Sequence, residues 1–468
     1  MQIEYNQIKK GTILPNLKIE SLAFGGKGLA RYNDLVVFVS NSIPGEKVDI
    51  RVIKKKKKYI EGVVSNINSK SEYETSPECA YFGLCGGCSS QNLAYEIQLK
   101  EKYNQVKEIF KHIGKINNVP INDIIPCKEK YNYRNKMEFT FSNRKWYENP
   151  KDIKLDKALG LHIKRRFDKI VDIDRCFIQH ELSNKIFSYI KNIIIENDLE
   201  PFDQRLQTGF LSNLIIRFSF SSKKTMVIFN TMGDGKKKLK PLLKPITEKF
   251  KEIVSIMNRV TIKEKGKKTI VEDNILFGQD YIIEKIGDIK YRYSANSFFQ
   301  TNSIQSNILF EYISKECDLT GNETVYDLYC GIGAISLYLA HNAKKVIGIE
   351  VVEDAIKDAK ENVKLNKIKN ADFFQGDLNN FFKKNHKIIQ KNKPDVIIVD
   401  PPRAGLHKNT IDTIIKYTNC KIVYVSCNPS TQARDLVILN DAGYRIANIQ
   451  PLDMFPHTPH IENIVTLI

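Results

Sequence analysis

The 468-residue sequence lacks any long hydrophobic run. Its apolar stretches are of strand length, short of the ~18 residues that a membrane helix needs. The opening MQIEYNQIKK is polar, so no secretory leader is expected. Internal repeats are absent, and the one low-complexity tract is a lysine run. Acidic residues are in deficit: Asp plus Glu number 54 against 72 Lys plus Arg, giving a net charge of +18. A surface this basic suits a polyanion, with nucleic acid ahead of an anionic membrane. Nine cysteines cannot all pair with one another. A cytoplasmic, reducing environment is expected, and clustered cysteines there suggest a metal site rather than disulfides. What remains is 42% hydrophobic and 27% charged, enough for more than one core.

Three regions are expected. Over 1–65, LKIESLAF, DLVVFVS and EKVDIRVIKKKKKYIEGVV are β-type segments separated by Gly25-Gly26, Asn33-Asp34 and Pro44-Gly45. Five short strands in an OB-like barrel fit them. The run Lys54–Lys58 reads as a solvated hairpin tip or as a phosphate contact. Over 66–293 an α+β region is expected. It opens with a cysteine-rich loop and an amphipathic helix over 93–114, with Gly114 as C-cap, that could pack on the C-terminal region. Helices are expected over 181–197 and 236–251. Over 294–468, strands alternate with helices, which predicts a parallel doubly wound sheet.

Four motifs carry chemistry. Asp327-Leu328-Tyr329-Cys330-Gly331-Ile332-Gly333 lies at a strand-to-helix junction. Its glycines permit a tight turn and close approach to a ligand. Glu350 ends the next strand, where an acid can accept ribose hydroxyls. A third glycine is missing, which disfavours NAD and leaves ligands without a pyrophosphate, such as S-adenosylmethionine. Asp400-Pro401-Pro402-Arg403 and Ser426-Cys427-Asn428-Pro429 each follow an apolar strand. Both therefore fall at the sheet end where open α/β folds bind ligands. His460-Ile461-Glu462 precedes the last strand. A carboxylate entering a dry site there suits a general base.

Together with Cys79-x5-Cys85-Gly-Gly-Cys88, these motifs resemble the RNA uracil-C5 methyltransferases that make 5-methyluridine. The resemblance spans nearly the whole chain. It implies an N-terminal TRAM β-barrel that binds RNA, a central α+β domain with a cysteine-bound cluster, and a C-terminal Rossmann-like methyltransferase domain. It implies Cys427 as nucleophile toward uracil C6 and Glu462 as the base that removes the C5 proton. Gln300, Tyr329, Glu350 and Asp400 are implied for S-adenosylmethionine, with Asp377 near the adenine. Asp400 could instead orient the uracil. Ala334 departs from relatives that carry a polar residue after the glycine turn. A 4Fe–4S cluster is implied on Cys79, Cys85, Cys88 and Cys176, although four thiolates suit either a cluster or zinc and, without the resemblance, zinc would be slightly favoured. Cys127, Cys317, Cys330 and Cys420 are expected to be packed.

Members with both a TRAM domain and a cluster mostly modify large-subunit ribosomal RNA, so 23S ribosomal RNA is the expected substrate and transfer RNA the alternative. The target base must leave its stack. Phe298, Phe299 and Phe455 are candidates to stack on it. Arg134, Lys136, Lys164, Arg165 and Arg166 are candidates for phosphate contact. A monomer is expected, since no heptad pattern appears. An adenine or glutamine N-methyltransferase would leave Cys427 and Glu462 unexplained. A noncatalytic RNA-binding protein would leave the cofactor motifs without a purpose.

Overall fold

The computed structural model describes residues 7–149, 156–164, 166, 168–203, 205–262, 266, 269–378, 381, 382, 385, 390–416 and 420–468. Six strands build the N-terminal sheet: β1 (Ile13–Lys18), β2 (Ser21–Ala23), β3 (Lys27–Tyr32), β4 (Leu35–Ser40), β5 (Lys47–Lys56) and β6 (Tyr59–Ser69). Their order is β1-β5-β6-β4-β3-β2. Alternation drives the assembly. In β5, Val48, Ile50 and Val52 point inward, whereas Lys47 and Arg51 are exposed. Each such inward side chain contributes about 1.5–3 kcal/mol by leaving water.

Two details differ from the sequence reading. LKIESLAF is two strands, not one, because the Ile19 and Glu20 N–H groups leave the ladder for Glu46 and Leu29 carbonyls. The polar stretch Asn66–Ser69 continues β6 past residue 65 by pairing with Lys47–Asp49, which no hydropathy pattern signals. The lysine run forms the β5–β6 hairpin tip, and Lys54 there pairs with Glu61 at 3.6 Å.

The helix α1 (Tyr95–His112) follows the cysteine-rich loop. Its Val106 and Phe110 join the core of the C-terminal unit. Gly114 is not its left-handed cap; that conformation falls on Lys115 at φ 53°. Gly114 is required by close approach instead, since a Cβ there would meet the Phe110 carbonyl at 2.7 Å.

The central sheet contains β7 (Lys136–Ser142), β8 (Ala158–His162), β9 (Ile170–Asp172), β10 (Leu211–Phe218), β11 (Thr225–Met232), β12 (Ile253–Ile262) and β13 (Ile270–Gly278), in the order β13-β12-β11-β10-β7-β8-β9. Helices α2 (Glu181–Glu196) and α3 (Lys236–Lys249) cover one face through Phe187, Ile190, Leu242 and Ile246. From the other face Ile215, Met226, Ile228 and Met257 enter the C-terminal core, so the two units share apolar surface.

A hairpin of β14 (Tyr281–Ile286) and β15 (Ile289–Ser294) leads to α4 (Ser303–Cys317). The doubly wound unit then runs β16 (Thr324–Leu328), α5 (Ala334–Leu339), β17 (Lys345–Glu350), α6 (Glu353–Leu365), β18 (Ala371–Gln375), β19 (Val396–Val399), α7 (Lys408–Ile414), β20 (Lys421–Ser426), α8 (Pro429–Asp441), β21 (Ile446–Leu452) and β22 (Glu462–Leu467). The order is β18-β17-β16-β19-β20-β22-β21, with β22 antiparallel to both neighbours. Strand order reverses between β16 and β19, and ligands of such sheets bind at that switch point. The sequence reading did not identify β18, an edge strand of mixed burial. No described helix is long and apolar enough to cross a membrane.

Candidate active site and cysteine cavity

The turn after β16 is shaped for a ligand. Gly331 and Gly333 have φ of 54° and 77°, and Tyr329 is also left-handed at 75°. A bulky residue in that region is a backbone outlier that its surroundings must hold. The Tyr329 and Cys330 N–H groups both bond the Ile349 carbonyl, which fixes the turn. At the end of β17, Glu350 accepts from the N–H groups of Gly331, Val351 and Val352. Tyr329, Glu350 and Asp377 line one cavity of about 730 Å³, walled on the far side by Leu406, His407 and Thr410. Gln300 and Asp400 do not line it. Gln300 lies just ahead of α4, and its carbonyl accepts from Asn135 at 2.9 Å.

A second group forms where β19, β20 and β22 meet. Ser426 pairs with Asn463 across β20 and β22, so Cys427 and Glu462 stand at the same end of adjacent strands. Asp400 directly follows β19, one strand further along. Asn428 caps α8 through its side chain, ending β20 sharply and leaving Cys427 half-buried in the bend. Burial raises the Cys427 thiol to about 11, assisted by the Glu462 and Asp400 carboxylates. The Arg403 guanidinium opposes that rise through charge and a hydrogen bond to the thiol. Burial pushes Glu462 well above the usual carboxylate range, and Asp400 adds to this. Asp400 itself is raised to about 7 by burial and by Asp327. Thus the sheet end holds one thiol, two carboxyls of raised pKa and one cation.

Arg403 closes the Asp400-Pro401-Pro402-Arg403 motif, and the sequence alone does not single it out. Its position one residue after Pro-Pro was the available signal. It also meets the His460 ring at 3.4 Å. Burial, followed by the Arg403 charge, lowers His460 to about 4.

In the central domain, Cys79, Cys85, Cys88 and Cys176 line a single cavity of about 220 Å³ with Met137, Leu161 and Phe177. Burial raises all four thiols, and neighbouring cysteines add to the rise at Cys85, Cys88 and Cys176. Among the described residues, no three His, Cys, Asp or Glu side chains are grouped closely enough to hold a single metal ion. Cys127, Cys317, Cys330 and Cys420 are buried elsewhere.

The tRNA (uracil-5-)-methyltransferase family model matches residues 94–468, and the TRAM domain model matches 15–64. The chain belongs to this family. It is 40% identical over 95% of its length to a Bacteroides thetaiotaomicron protein described as an uncharacterized RNA methyltransferase, covering 99% of that protein. A Porphyromonas gingivalis protein of the same description is 39% identical, with 97% and 99% covered. The solved Pyrococcus abyssi tRNA (uracil-54, C5)-methyltransferase, in complex with S-adenosyl-L-homocysteine, superposes with a TM-score of 0.73. It is 29% identical, with 96% of this chain and 99% of that one covered.

The remaining expected RNA contacts of this methyltransferase-family chain separate on inspection. Phe298 is 68% exposed, whereas Phe299 is buried and stacked on Tyr293 at 4.8 Å, which assigns it to the core. Phe455 is partly buried and meets the His460 ring edge-on at 6.2 Å. Arg134 borders the cysteine cavity. Lys136 is lowered to about 8 by burial and by Arg217, Arg259 and Arg134. The Lys164 ammonium lies over the Phe82 ring at 5.9 Å. Arg166 is partly neutralised by Asp168 at 3.2 Å. Arg165 lies outside the described residues.

Proposed function

We propose that this chain transfers a methyl group from S-adenosylmethionine to C5 of a uridine in 23S ribosomal RNA, through a covalent bond between Cys427 and uracil C6. The observation that carries the reading is the placement of Cys427 opposite Glu462 at one sheet end, beside Asp400 and Arg403. Uracil C5 is a weak nucleophile, so the reaction needs an attacking thiolate and a separate base on one pocket.

The cofactor occupies the cavity of Tyr329, Glu350 and Asp377 in this proposal. Glu350 binds the ribose hydroxyls, as an acid at that strand end does. Gln300 and Asp400 complete the set from outside that cavity, and Asp400 is equally placed to orient the uracil. Bound S-adenosylmethionine supplies an electrophilic methyl group.

The Cys427 thiol first yields its proton to the Asp400 carboxylate, which with a pKa near 7 is partly ionised at neutral pH. The thiolate expelled at the end regains that proton, and Glu462 is left to act on C5. With a pKa near 11 the thiol is protonated at rest, and Arg403 stabilises the thiolate that forms. The sulfur adds to C6, and the C5=C6 electron pair moves onto C5 and the adjoining carbonyl. Once C5 is methylated, the Glu462 carboxylate removes its hydrogen as a proton. The freed pair restores C5=C6 and expels the Cys427 thiolate. Burial makes the ionised Glu462 a strong proton acceptor.

The same proposal places a 4Fe–4S cluster on Cys79, Cys85, Cys88 and Cys176. A cavity of about 220 Å³ walled by four thiols supports that reading. Such a cluster would tie the 79–88 loop to the start of α2, and no step of methyl transfer runs through it. The proposed division is 1–65 for RNA binding, 66–293 for the cysteine-bearing domain and 294–468 for catalysis.

Transfer RNA is the second reading. The Pyrococcus abyssi enzyme acts on it and aligns with nearly the whole chain, so a TRAM-bearing architecture does not by itself select ribosomal RNA. Tritium release from RNA labelled at uridine C5 tests both. Release from 23S ribosomal RNA alone is expected. Release from transfer RNA alone would replace the substrate and keep the chemistry. No release from either would overturn C5 methylation.

A further inference from the structure

Glu462 ends a connection, residues 453–461, that leaves the sheet after β21 and returns as β22. Its anchors come mainly from outside the C-terminal unit. Asp453 is fully buried and accepts from Lys102 Nζ of α1 at 2.6 Å and from Tyr95 OH at 2.8 Å. Lys102, also buried, donates a further bond to the Phe455 carbonyl at 3.2 Å. Gln98, one turn from both, accepts from the His457 N–H at 3.1 Å. His457 has φ of 64°, a left-handed conformation that its neighbours must hold, and the Ser89 N–H bonds its carbonyl at 2.8 Å. Three inward positions of one helix, Tyr95, Gln98 and Lys102, therefore grip the connection.

We infer that Lys102 and Asp453, with Tyr95, are positioning residues that hold the 453–461 connection so that Glu462 meets the C5 proton. The inference rests on the proposed role of Glu462. A buried pair suits this task better than an exposed one. Removing one partner strands a charge, so the pair has one low-energy geometry rather than many. Glu462 itself lies at the first position of β22, so β22's ladder fixes it from one side only. The other side is fixed by the connection. Small displacement of a proton acceptor costs ~100-fold for about 1 Å.

The separation of steps provides the test. Cys427 hangs on β20 and α8, and although α1 packs on α8 none of the clamp's hydrogen bonds reaches either element, so adduct formation should survive while proton removal slows. Tyr95→Phe keeps the ring and removes the bond to Asp453 together with the acceptor of the Cys127 N–H. Lys102→Met with Asp453→Asn removes both charges together, so neither is stranded. Each full-length variant is compared with wild type and with Glu462→Gln at saturating RNA and S-adenosylmethionine. Turnover and the methylated covalent adduct on a denaturing gel are read together, on protein whose cofactor affinity matches wild type. The double variant is expected to lose between about 10- and 100-fold in turnover while accumulating methylated adduct, with Tyr95→Phe smaller in the same direction. Wild-type turnover in either variant overturns the inference. So does a parallel loss of turnover and adduct, which is what general loosening would give. If the double variant does not fold, Tyr95→Phe decides alone by the same two readouts. Absence of methylated adduct in Glu462→Gln overturns the base assignment itself and this inference with it.

Discussion

Cys427 and the four cysteines of the central cavity are all half-buried or buried thiols raised by desolvation, yet their neighbours differ. Around Cys427 stand two carboxyls and a guanidinium. Around Cys85, Cys88 and Cys176 the acidic neighbours are other thiols. A carboxylate can take a proton from a thiol and return it, so the first setting suits the transient thiolate that the proposed mechanism needs. Thiols surrounded by thiols have no such acceptor and lose their protons when a metal replaces them. Burial alone says nothing about a cysteine's role; the proton acceptors within reach decide it.

The largest expected effect removes the sulfur from the first setting. Cys427→Ala should lower tritium release by at least about 10⁴-fold, as loss of a covalent nucleophile does. No RNA-linked band should survive denaturing electrophoresis. Retention of that band would mean that another thiol attacks, and the contrast between the two settings would collapse.

Removing the partner carboxyl should cost less and leave a different trace. Glu462→Gln should slow turnover by about 10²–10⁴-fold, the range for a general base. The methylated adduct should build up, because elimination needs the proton removed. Normal turnover would show that Asp400 or water does this work.

In the central cavity the expected loss is stability. Cys176→Ser should remove the visible absorbance of an iron-bearing preparation. Its Tm should fall by about 5 °C or more, since a few kcal/mol moves Tm by that much in a domain of this size. Methylation by the protein that stays folded should persist. A loss of activity with unchanged Tm would place the cavity in the reaction and undo the distinction.

Sequence pattern exposed the doubly wound unit well, because its strands are continuous apolar runs. VIIV over Val396–Val399 and IVYV over Ile422–Val425 are buried throughout. It failed at β18, where Asp372 and Gln375 are exposed on an edge strand. That Cys427 and Glu462 stand at one sheet end was legible because each adjoins such a run. The contacts of Arg403 and of the Lys102–Asp453 pair were not. A lysine on an amphipathic helix looks solvated until a partner 351 positions away covers it. Phe299 and Phe298 are adjacent and identical in the sequence; only packing sends one into the core and the other to the surface.

The smallest effect concerns Asp400, the carboxyl that follows β19 and faces Cys427 and Glu462 electrostatically. Its pKa rises from 3.8 to about 7 on folding, first through burial and then through Asp327. A raised folded-state pKa means the folded chain holds that proton more tightly than the unfolded chain. Below about pH 4 both states are protonated and the group is neutral toward stability. Between about pH 4 and pH 7 the unfolded state ionises first, so stability falls as pH rises, and above 7 the penalty is complete. Asp400→Asn should therefore match wild type in Tm near pH 4 and exceed it by a few degrees, ~2–4 °C, at pH 8. An equal gain at both pH values would trace the effect to packing rather than charge. The Cys427 setting would then keep its nucleophile but lose the argument that its carboxyls are held against their ordinary ionisation, which is what distinguishes it from the cavity of thiols.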